Sequence, residues 1–288
     1  MKHTNQARLS LVFSMAIFGT LAPFVRNISV SSGELALYRA VMAAAILGLY
    51  LVVTKQKLSL NDFGRELPLL LLSGMAMGVN WILLFEAYKY TTVAISTLSY
   101  YFAPVIVTVV CPILFREKLT KKQLLCFVMS TLGLCLVIGI TDLGSGSRDG
   151  LGIAFGLGAA CFYAAVILLN KFIKGIAGIH RTFLQFLAAI AILIPYVAVS
   201  GGVHLSGLSG SGWICLLIVG IVHTGITYCL YFSSLKELPG QEAAILSYID
   251  PLVAVVIGVV ILGEPLSWQQ LAGGALILGF TLWNELGN

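Results

Sequence analysis

The chain has 288 residues, of which 59% are hydrophobic and only 10% are charged. A soluble globular domain is about half apolar and roughly a quarter charged, so this composition excludes an ordinary soluble protein and indicates a membrane protein. The net charge of +5 comes from Lys and Arg residues dispersed among short loops, a pattern that disfavours a nucleic-acid partner.

Apolar runs recur along the chain at the length that a helix needs to cross a bilayer, about 20 residues. The connections between them are short, and none is long enough to hold a soluble domain. We therefore predict an all-α integral membrane fold. Its ten transmembrane helices, called spans 1 to 10, are expected at 7–27, 34–54, 67–88, 92–115, 122–141, 150–173, 181–200, 212–234, 240–262 and 268–286.

The positive charges predict how these spans are oriented. With a cytoplasmic amino terminus, most of the 17 Lys and Arg residues fall on the inner side, and only Arg26, Lys89 and Arg148 fall on the outer side. Cytoplasmic loops carry the excess of positive charge in membrane proteins, so both termini are predicted to be cytoplasmic. The expected location is the cytoplasmic membrane.

The six cysteines all lie in apolar segments and form no C-x-x-C pair. Neither a disulfide framework nor a zinc site is therefore predicted, and no cofactor or metal is expected. The chain also lacks a loop of the type G-x-x-x-x-G-K-[ST], which disfavours the use of ATP.

The second half of the chain repeats the first. A shift of 147 residues aligns Tyr101 with Tyr248, Pro104 with Pro251, Glu117 with Glu264, and Gln123 with Gln270. We predict a first repeat at 1–141, a linker at 142–149 and a second repeat at 150–288. Because each repeat holds five spans, an odd number, the two repeats enter the membrane in opposite senses. Inverted repeats recur in secondary transporters, whose substrate site lies between the repeats near the middle of the membrane.

Residues 103–120 and 250–267 both resemble the EamA-type signature, in which a proline and an apolar run lead to a Gly-Glu-x-Leu turn and another helix. The Tyr38-Arg39-Ala40 stretch in span 2 is also similar to the family. On these motifs the chain is identified as a member of the EamA family in the drug/metabolite transporter (DMT) superfamily. The resemblance implies two EamA repeats, a cavity between them and alternating access. It also adds spans 1 and 6 to spans 3, 4, 8 and 9 as the expected walls of the cavity.

Asp250 and Pro251 are predicted to lie at the centre of span 9. A lone acid at that depth costs ~2.5–3.5 kcal/mol, so Asp250 should face a wet cavity or a partner and not lipid. Pro251 lacks an amide hydrogen and deprives the carbonyl of Ser247 of its helical partner. Asp250 is either a binding or protonation site or a buried structural acid. Pro104 and Pro251 are the predicted hinges.

Polar and aromatic side chains of spans 3, 4, 8 and 9 complete the predicted site. Tyrosine rings could pack around an apolar or cationic part of a substrate, or they could simply fill the core. A histidine in mid-span could relay protons or could be satisfied by a neighbouring hydroxyl. The predicted substrate-binding residues are Asn80, Trp81, Ser99, Tyr101, His223, Tyr228, Ser247, Tyr248 and Asp250.

Several other charged residues are interpreted as structural. Glu117 and Glu264 are expected at span ends, where a carboxylate can sit near the amino terminus of the next helix. Glu86 and Lys89 have the spacing of an i,i+3 ion pair. Arg39 lies near enough to the start of span 2 for its side chain to reach the membrane surface.

The sequence thus predicts a secondary transporter that exports a small amphiphilic metabolite, such as an amino acid, with or without proton or ion coupling. Its expected partners are this substrate and the lipid bilayer, and it would act as a monomer or a homodimer. The alternative within transport is an importer of an organic cation such as a quaternary amine. An intramembrane enzyme is disfavoured, because only His223 of the four histidines lies in mid-span and no H-E-x-x-H motif occurs. A scaffold without transport is the remaining hypothesis.

Overall fold

A computed structural model describes residues 2–55, 64–115, 120–138, 149–173, 175–176, 178–235, 237–238 and 246–285. No β-strand occurs in these ranges. The first repeat contains α1 (Lys2–Gly19), α2 (Leu21–Arg26), α3 (Ser32–Val53), α4 (Leu67–Tyr90), α5 (Val93–Tyr100), α6 (Ala103–Phe115) and α7 (Lys121–Ile138). The second contains α8 (Asp149–Phe172), α9 (Gly178–Val199), α10 (Gly210–Leu217), a π-helical segment (Ile218–Ile226), α11 (Thr227–Leu235), α12 (Ile249–Val260) and α13 (Trp268–Glu285).

The described helices confirm the all-helical membrane fold, but they do not confirm the count of ten spans. Two shorter apolar stretches fall within predicted spans 4 and 9, namely Val93–Val107, which covers α5 and the start of α6, and Ile249–Val260, which is α12. Helices α7 and α13 occupy the positions of spans 5 and 10. In the described part of the chain, six helical stretches are long and apolar enough to cross a membrane, namely Asn5–Arg26, Ser32–Val53, Leu67–Tyr90, Asp149–Phe172, Gly178–Val199 and Gly210–Tyr231.

The prolines that were predicted as mid-helix hinges lie instead in the first turns of helices. A two-residue turn separates α5 from α6, and a turn at Tyr248 precedes α12. Pro104 is the second residue of α6, and Pro251 is the third residue of α12. The amides of a first turn have no partner within the helix, so proline removes no hydrogen bond at these positions. Asp250 consequently lies at a helix amino terminus and not in the middle of a continuous helix.

Contacts between the helices follow the internal repeat. Helix α4 packs on α8, and its counterpart in the second repeat, α11, packs on α1. Similarly, α4 packs on α9 while the π-helical segment packs on α3, and α6 packs on α8 while α12 packs on α1. Helices α3 and α9 pair with each other, as do α7 and α13. This pattern fits the two-repeat architecture. The predicted linker 142–149 lies outside the described residues apart from Asp149.

Glycines bring some of these helices into close contact. A Cβ atom on Gly74 in α4 would collide with the carbonyl oxygen of Gln185 in α9 and would lie 2.7 Å from the Cβ atom of Ala188. A Cβ atom on Gly225 would likewise meet the side chain of Ile46 in α3. Small residues of this kind let membrane helices approach closely, and here they fix the distance between elements that surround the centre of the bundle.

Candidate functional site

A cavity of about 340 Å³ lies between the two repeats. Side chains from α1, α2, α4, α5, α8, α11 and α12 line it, which corresponds to the six spans expected as walls. Helices α3 and α9, at spans 2 and 7, contribute further residues. The volume falls at the lower end of the range of small-molecule sites, so the cavity could hold a small metabolite.

Asp250 and Tyr101 join the two repeats across this cavity. The hydroxyl of Tyr101, in the turn between α5 and α6, donates a hydrogen bond of 2.7 Å to Oδ2 of Asp250. Asp250 lies in the first turn of α12, where the helix dipole favours a negative charge. Ser247, just before that turn, also lines the cavity. The arrangement holds a carboxylate in place with one hydroxyl while its other oxygen forms no hydrogen bond to the described residues.

Aromatic rings make up much of the remaining wall. The rings of Phe18 and Tyr228 meet edge to face with centroids 5.2 Å apart. Those of Tyr100 and Tyr163 stack at 5.2 Å. The aromatic residues of the wall are Phe18, Trp81, Tyr88, Tyr100, Tyr101, Tyr163, Tyr228 and Tyr231. Rings of this kind can pack against apolar groups and can also attract cations through their faces.

Arg39 lines the same cavity, and the expectation that its side chain reaches the membrane surface is wrong. The residue is only 4% exposed. Its Nε donates a hydrogen bond of 2.7 Å to the hydroxyl of Thr224, and its guanidinium carbon lies 4.9 Å from the ring centroid of Trp81. A hydroxyl and an aromatic face replace water around this charge, so the side chain has no need to reach the surface.

Polar side chains continue the wall towards the end of the bundle where α8 ends and α9 begins, which we call the Arg181 end. Gln185 donates hydrogen bonds to the hydroxyl of Ser73 at 2.7 Å and to the side-chain oxygen of Asn170 at 2.8 Å. Arg181 donates to the carbonyl of Ile176 at 3.0 Å. Asn170, Arg181 and Gln185 all line the cavity, which therefore reaches this end of the bundle.

An ion pair between Arg26 and Glu264 ties the two repeats together at the opposite end, which we call the Arg26 end. Arg26 also donates to the carbonyl of Thr91 at 2.9 Å, and Glu264 accepts from the amide of Val93 at 2.7 Å. A carboxylate at a helix amino terminus was predicted for Glu264. The structure confirms it, but the helix is α5 of the first repeat and not α13, which follows Glu264 in sequence. The equivalent Glu117 lies outside the described residues.

A second pocket, of about 650 Å³, opens beside this ion pair and is called the outer pocket. Arg26, Lys89, Asp149 and Glu264 are among its lining residues. The predicted pair of Glu86 and Lys89 is confirmed at 3.1 Å near this pocket. Tyr88 lines both the outer pocket and the central cavity, so its side chain belongs to the wall between them.

The structure brings five of the predicted site residues together on the cavity wall. These are Trp81, Tyr101, Tyr228, Ser247 and Asp250. The other four, Asn80, Ser99, His223 and Tyr248, do not line it.

Three of these four have identifiable packing environments. Asn80 donates a hydrogen bond of 2.6 Å to the carbonyl of Ala159. Ser99 is buried where α5 meets α8. His223 lies 3.0 Å from the hydroxyl of Thr20, which is the hydroxyl-satisfied alternative foreseen for it. Tyr248 is also buried.

Sequence reasoning missed several residues of the wall. A polar or ionisable residue inside a membrane span rarely faces lipid, and this rule, applied to every such residue, would have found part of the set. The other residues could be found only by knowing that spans 2 and 7 also border the cavity. The missed residues include Arg39, Tyr88, Tyr163, Asn170, Arg181, Gln185 and Tyr231. Within the described ranges, no group of three His, Cys, Asp or Glu side chains could hold a metal ion.

Comparison with known proteins identifies relatives over both repeats. The EamA-like transporter family matches residues 7–139 and 150–284. A protein of Bacillus subtilis (strain 168), named "Uncharacterized transporter YxxF", is 33% identical over 98% of this chain and 90% of its own length. An "Uncharacterized transporter" of Archaeoglobus fulgidus is 30% identical and covers 96% of both chains. One solved crystal structure, 18% identical, superposes with a TM-score of 0.65 over 96% of this chain and 95% of its own, and it supports the fold.

Proposed function

Because this chain belongs to the EamA-like transporter family, we propose that it is a secondary transporter that exports a small amphiphilic metabolite, such as an amino acid, by alternating access. The cavity between the two repeats carries this proposal. Its wall combines one carboxylate (Asp250), two guanidinium groups (Arg39 and Arg181) and a set of aromatic rings, which suits a molecule with both charged and apolar parts.

The two ends of the cavity support alternating access. The wall continues to the Arg181 end, whereas the Arg26–Glu264 pair joins the repeats at the other end. In the orientation predicted from the positive charges, the Arg181 end faces the cytoplasm. A substrate would then enter from the cytoplasm and leave once the Arg26 end opens, which is the order of events in export.

Counterflow in proteoliposomes tests this function. Vesicles that contain the purified protein are loaded with an unlabelled mixture of amino acids, and the uptake of the same mixture in labelled form is measured. We expect uptake well above that of vesicles without protein. Equal uptake in the two preparations would refute amino-acid transport.

An importer of organic cations is the second candidate, and the position of Asp250 among tyrosine rings favours it. An acid surrounded by aromatic faces is an arrangement that binds quaternary ammonium groups. Choline and related quaternary amines would then compete for uptake more strongly than amino acids do. The opposite order would favour the amino-acid exporter.

A further inference from the structure

Arg39 and Asp250 line one cavity, yet they do not form an ion pair with each other. The ion pairs between described residues that we find are those of Arg26 with Glu264, Lys89 with Glu86, and His204 with Glu34. The central cavity therefore keeps a positive and a negative group apart on its wall.

Arg39 has hydrogen-bonding capacity that the protein leaves unused. A guanidinium carries five N–H donors, and only the Nε donor is bonded to a described residue, through Thr224. Arg39 lines the cavity, so its two terminal nitrogens are the donors that remain for a ligand bound there. The two nitrogens form the planar fork that binds a carboxylate through two parallel hydrogen bonds.

Asp250 is partly satisfied in the same way. Tyr101 donates to Oδ2, and Oδ1 has no donor among the described side chains or amides. Asp250 is only partly buried and lines the cavity, which leaves Oδ1 as an acceptor for a ligand bound there. An ammonium group, which offers three donors, would complete this carboxylate.

The free-energy cost of burying Arg39 and Asp250 argues against a purely structural role for these two charges. Each ion loses most of its hydration in the bundle, and only direct pairing with good geometry repays that loss. The sequence keeps both ions on the wall of one cavity without pairing them, and aromatic rings line the same cavity. A ligand that carries both a carboxylate and an ammonium group would offset the hydration lost by both ions.

We propose that Arg39 anchors the carboxylate of the substrate while Asp250 receives its ammonium group, so that the cavity selects zwitterions with an apolar side chain over simple amines. This inference rests on the proposed function, since it assigns the substrate class of the same cavity. It gives Arg39 a role in substrate specificity, whereas its side chain was expected from the sequence to reach the membrane surface.

Competition in the counterflow assay tests the role of Arg39. Uptake of the labelled amino acids is inhibited by free amino acids, by the corresponding amino-acid amides, which lack the carboxylate, or by N-acetyl amino acids, which lack the ammonium group. In the wild type we expect both sets of derivatives to inhibit roughly tenfold to a hundredfold more weakly than free amino acids, as for the loss of a charged hydrogen bond. In Arg39→Gln the gap between free amino acids and amides should close, while the N-acetyl derivatives remain weak.

Two further variants serve as controls. Lys122→Gln removes a positive charge from α7, where Lys122 lies 5.3 Å from the ring centroid of Trp283 and outside the cavity, and it should keep the wild-type order. Arg39→Lys keeps the charge but loses the fork, so the gap should narrow without closing.

The outcomes separate the two proposals. Uptake in the wild type that amides inhibit as well as free amino acids do would overturn the carboxylate anchor and leave transport intact. A full gap in Arg39→Gln would overturn it too. Absence of wild-type uptake would refute the proposed function itself, and the anchor with it. Should Arg39→Gln fail to fold in a thermal unfolding assay, the wild-type competition and Arg39→Lys decide the question.

Discussion

Asn80 and Trp81 are neighbours in α4, but their side chains have different surroundings. Trp81 lines the cavity, whereas Asn80 is buried away from it and bonds to α8. Both residues were predicted to bind substrate, because the sequence places them in mid-span but does not show which of them faces the cavity. Adjacent helical positions point about 100° apart, so only the packing of α4 against its neighbours tells them apart.

We predict that Asn80→Ala lowers stability without changing substrate recognition. The change removes the hydrogen bond to Ala159, which is worth about 1 kcal/mol, and it leaves the wall of the cavity unaltered. Thermal unfolding in detergent should show a lower midpoint, while competition in counterflow stays at the wild-type level. Trp81→Phe provides the contrast, since it alters the wall and should weaken competition. An equal loss of competition in both variants would contradict this division.

Coupling through Asp250 predicts that Asp250→Asn abolishes uptake driven by a proton gradient, while counterflow persists at substrate concentrations raised to offset the weakened contact with the ammonium group. Asparagine has nearly the shape of aspartate but cannot bind and release a proton, so exchange can continue while accumulation stops. His223→Gln is the matched control, because His223 bonds to Thr20 and does not line the cavity. Gradient-driven uptake should persist in that variant. Driven uptake in Asp250→Asn at the wild-type level would exclude this role.

At the scale of helices, the sequence predicted where elements lie better than how they end. The apolar runs located spans 4 and 9 correctly, but the breaks before α6 and α12 were read as kinks inside continuous helices. A proline is compatible with a kink and with a first turn, and the difference depends on where the preceding backbone leaves the helix. The turns at Tyr101 and Tyr248 fall at equivalent positions of the repeat, which is the signal that could have shown the breaks.

The contact between Arg26 and Glu264 predicts an effect on opening. Glu264→Gln weakens an ion pair and a charged hydrogen bond to Val93, which together join the two repeats at the end that must open in the proposed export cycle. We expect on the order of 1–3 kcal/mol less stabilisation of the closed state. A cysteine introduced at Leu84 on the cavity wall, in a background without native cysteines, should then react faster with an impermeant maleimide added at the Arg26 end.

Glu86→Gln is the matched control for this prediction, because it breaks the exposed pair with Lys89 at the same end of the bundle. Exposed pairs contribute little, so the reaction of the cysteine should remain at the wild-type rate. An equally faster reaction of the cysteine in both variants would indicate a general effect of charge and would contradict a specific role of the Arg26–Glu264 pair.

Close packing of α4 on α9 predicts that Gly74→Leu is destabilising. Even a Cβ atom at this position would collide with the backbone of Gln185, so the helices must separate. Overpacking of this kind typically costs about 1–3 kcal/mol, and we expect a lower midpoint of thermal unfolding. Gly279→Leu in α13 is the control, since a Cβ atom there meets nothing within 4 Å. A similar loss in the two variants would contradict the packing argument.

At the scale of the whole molecule, the internal repeat predicted more than any single motif. The repeat and the odd number of spans indicated two related halves around a central cavity, and the contacts of α4 with α8 and of α11 with α1 have the symmetry expected of them. The contribution of spans 2 and 7 to the cavity was not foreseen. The side chains that α3 and α9 contribute to the wall are polar, namely Arg39, Arg181, Thr182 and Gln185.

The orientation of the molecule is testable by labelling in intact cells. Gln6→Cys lies near the predicted cytoplasmic amino terminus, and Ser206→Cys lies in an exposed connection at the Arg26 end. In a background without native cysteines, an impermeant maleimide added outside should label Ser206→Cys and spare Gln6→Cys until the cells are opened. The reverse labelling pattern would exchange the inner and outer sides, so the substrate would no longer enter the cavity from the cytoplasm as proposed.

The barrier between the central cavity and the outer pocket includes Tyr88. This buried residue lines both the central cavity and the outer pocket. Because one residue borders both spaces, a change in the position of its side chain would alter the barrier between them. In the proposed transport cycle, access from the Arg26 end to the central cavity would therefore depend on this one buried side chain.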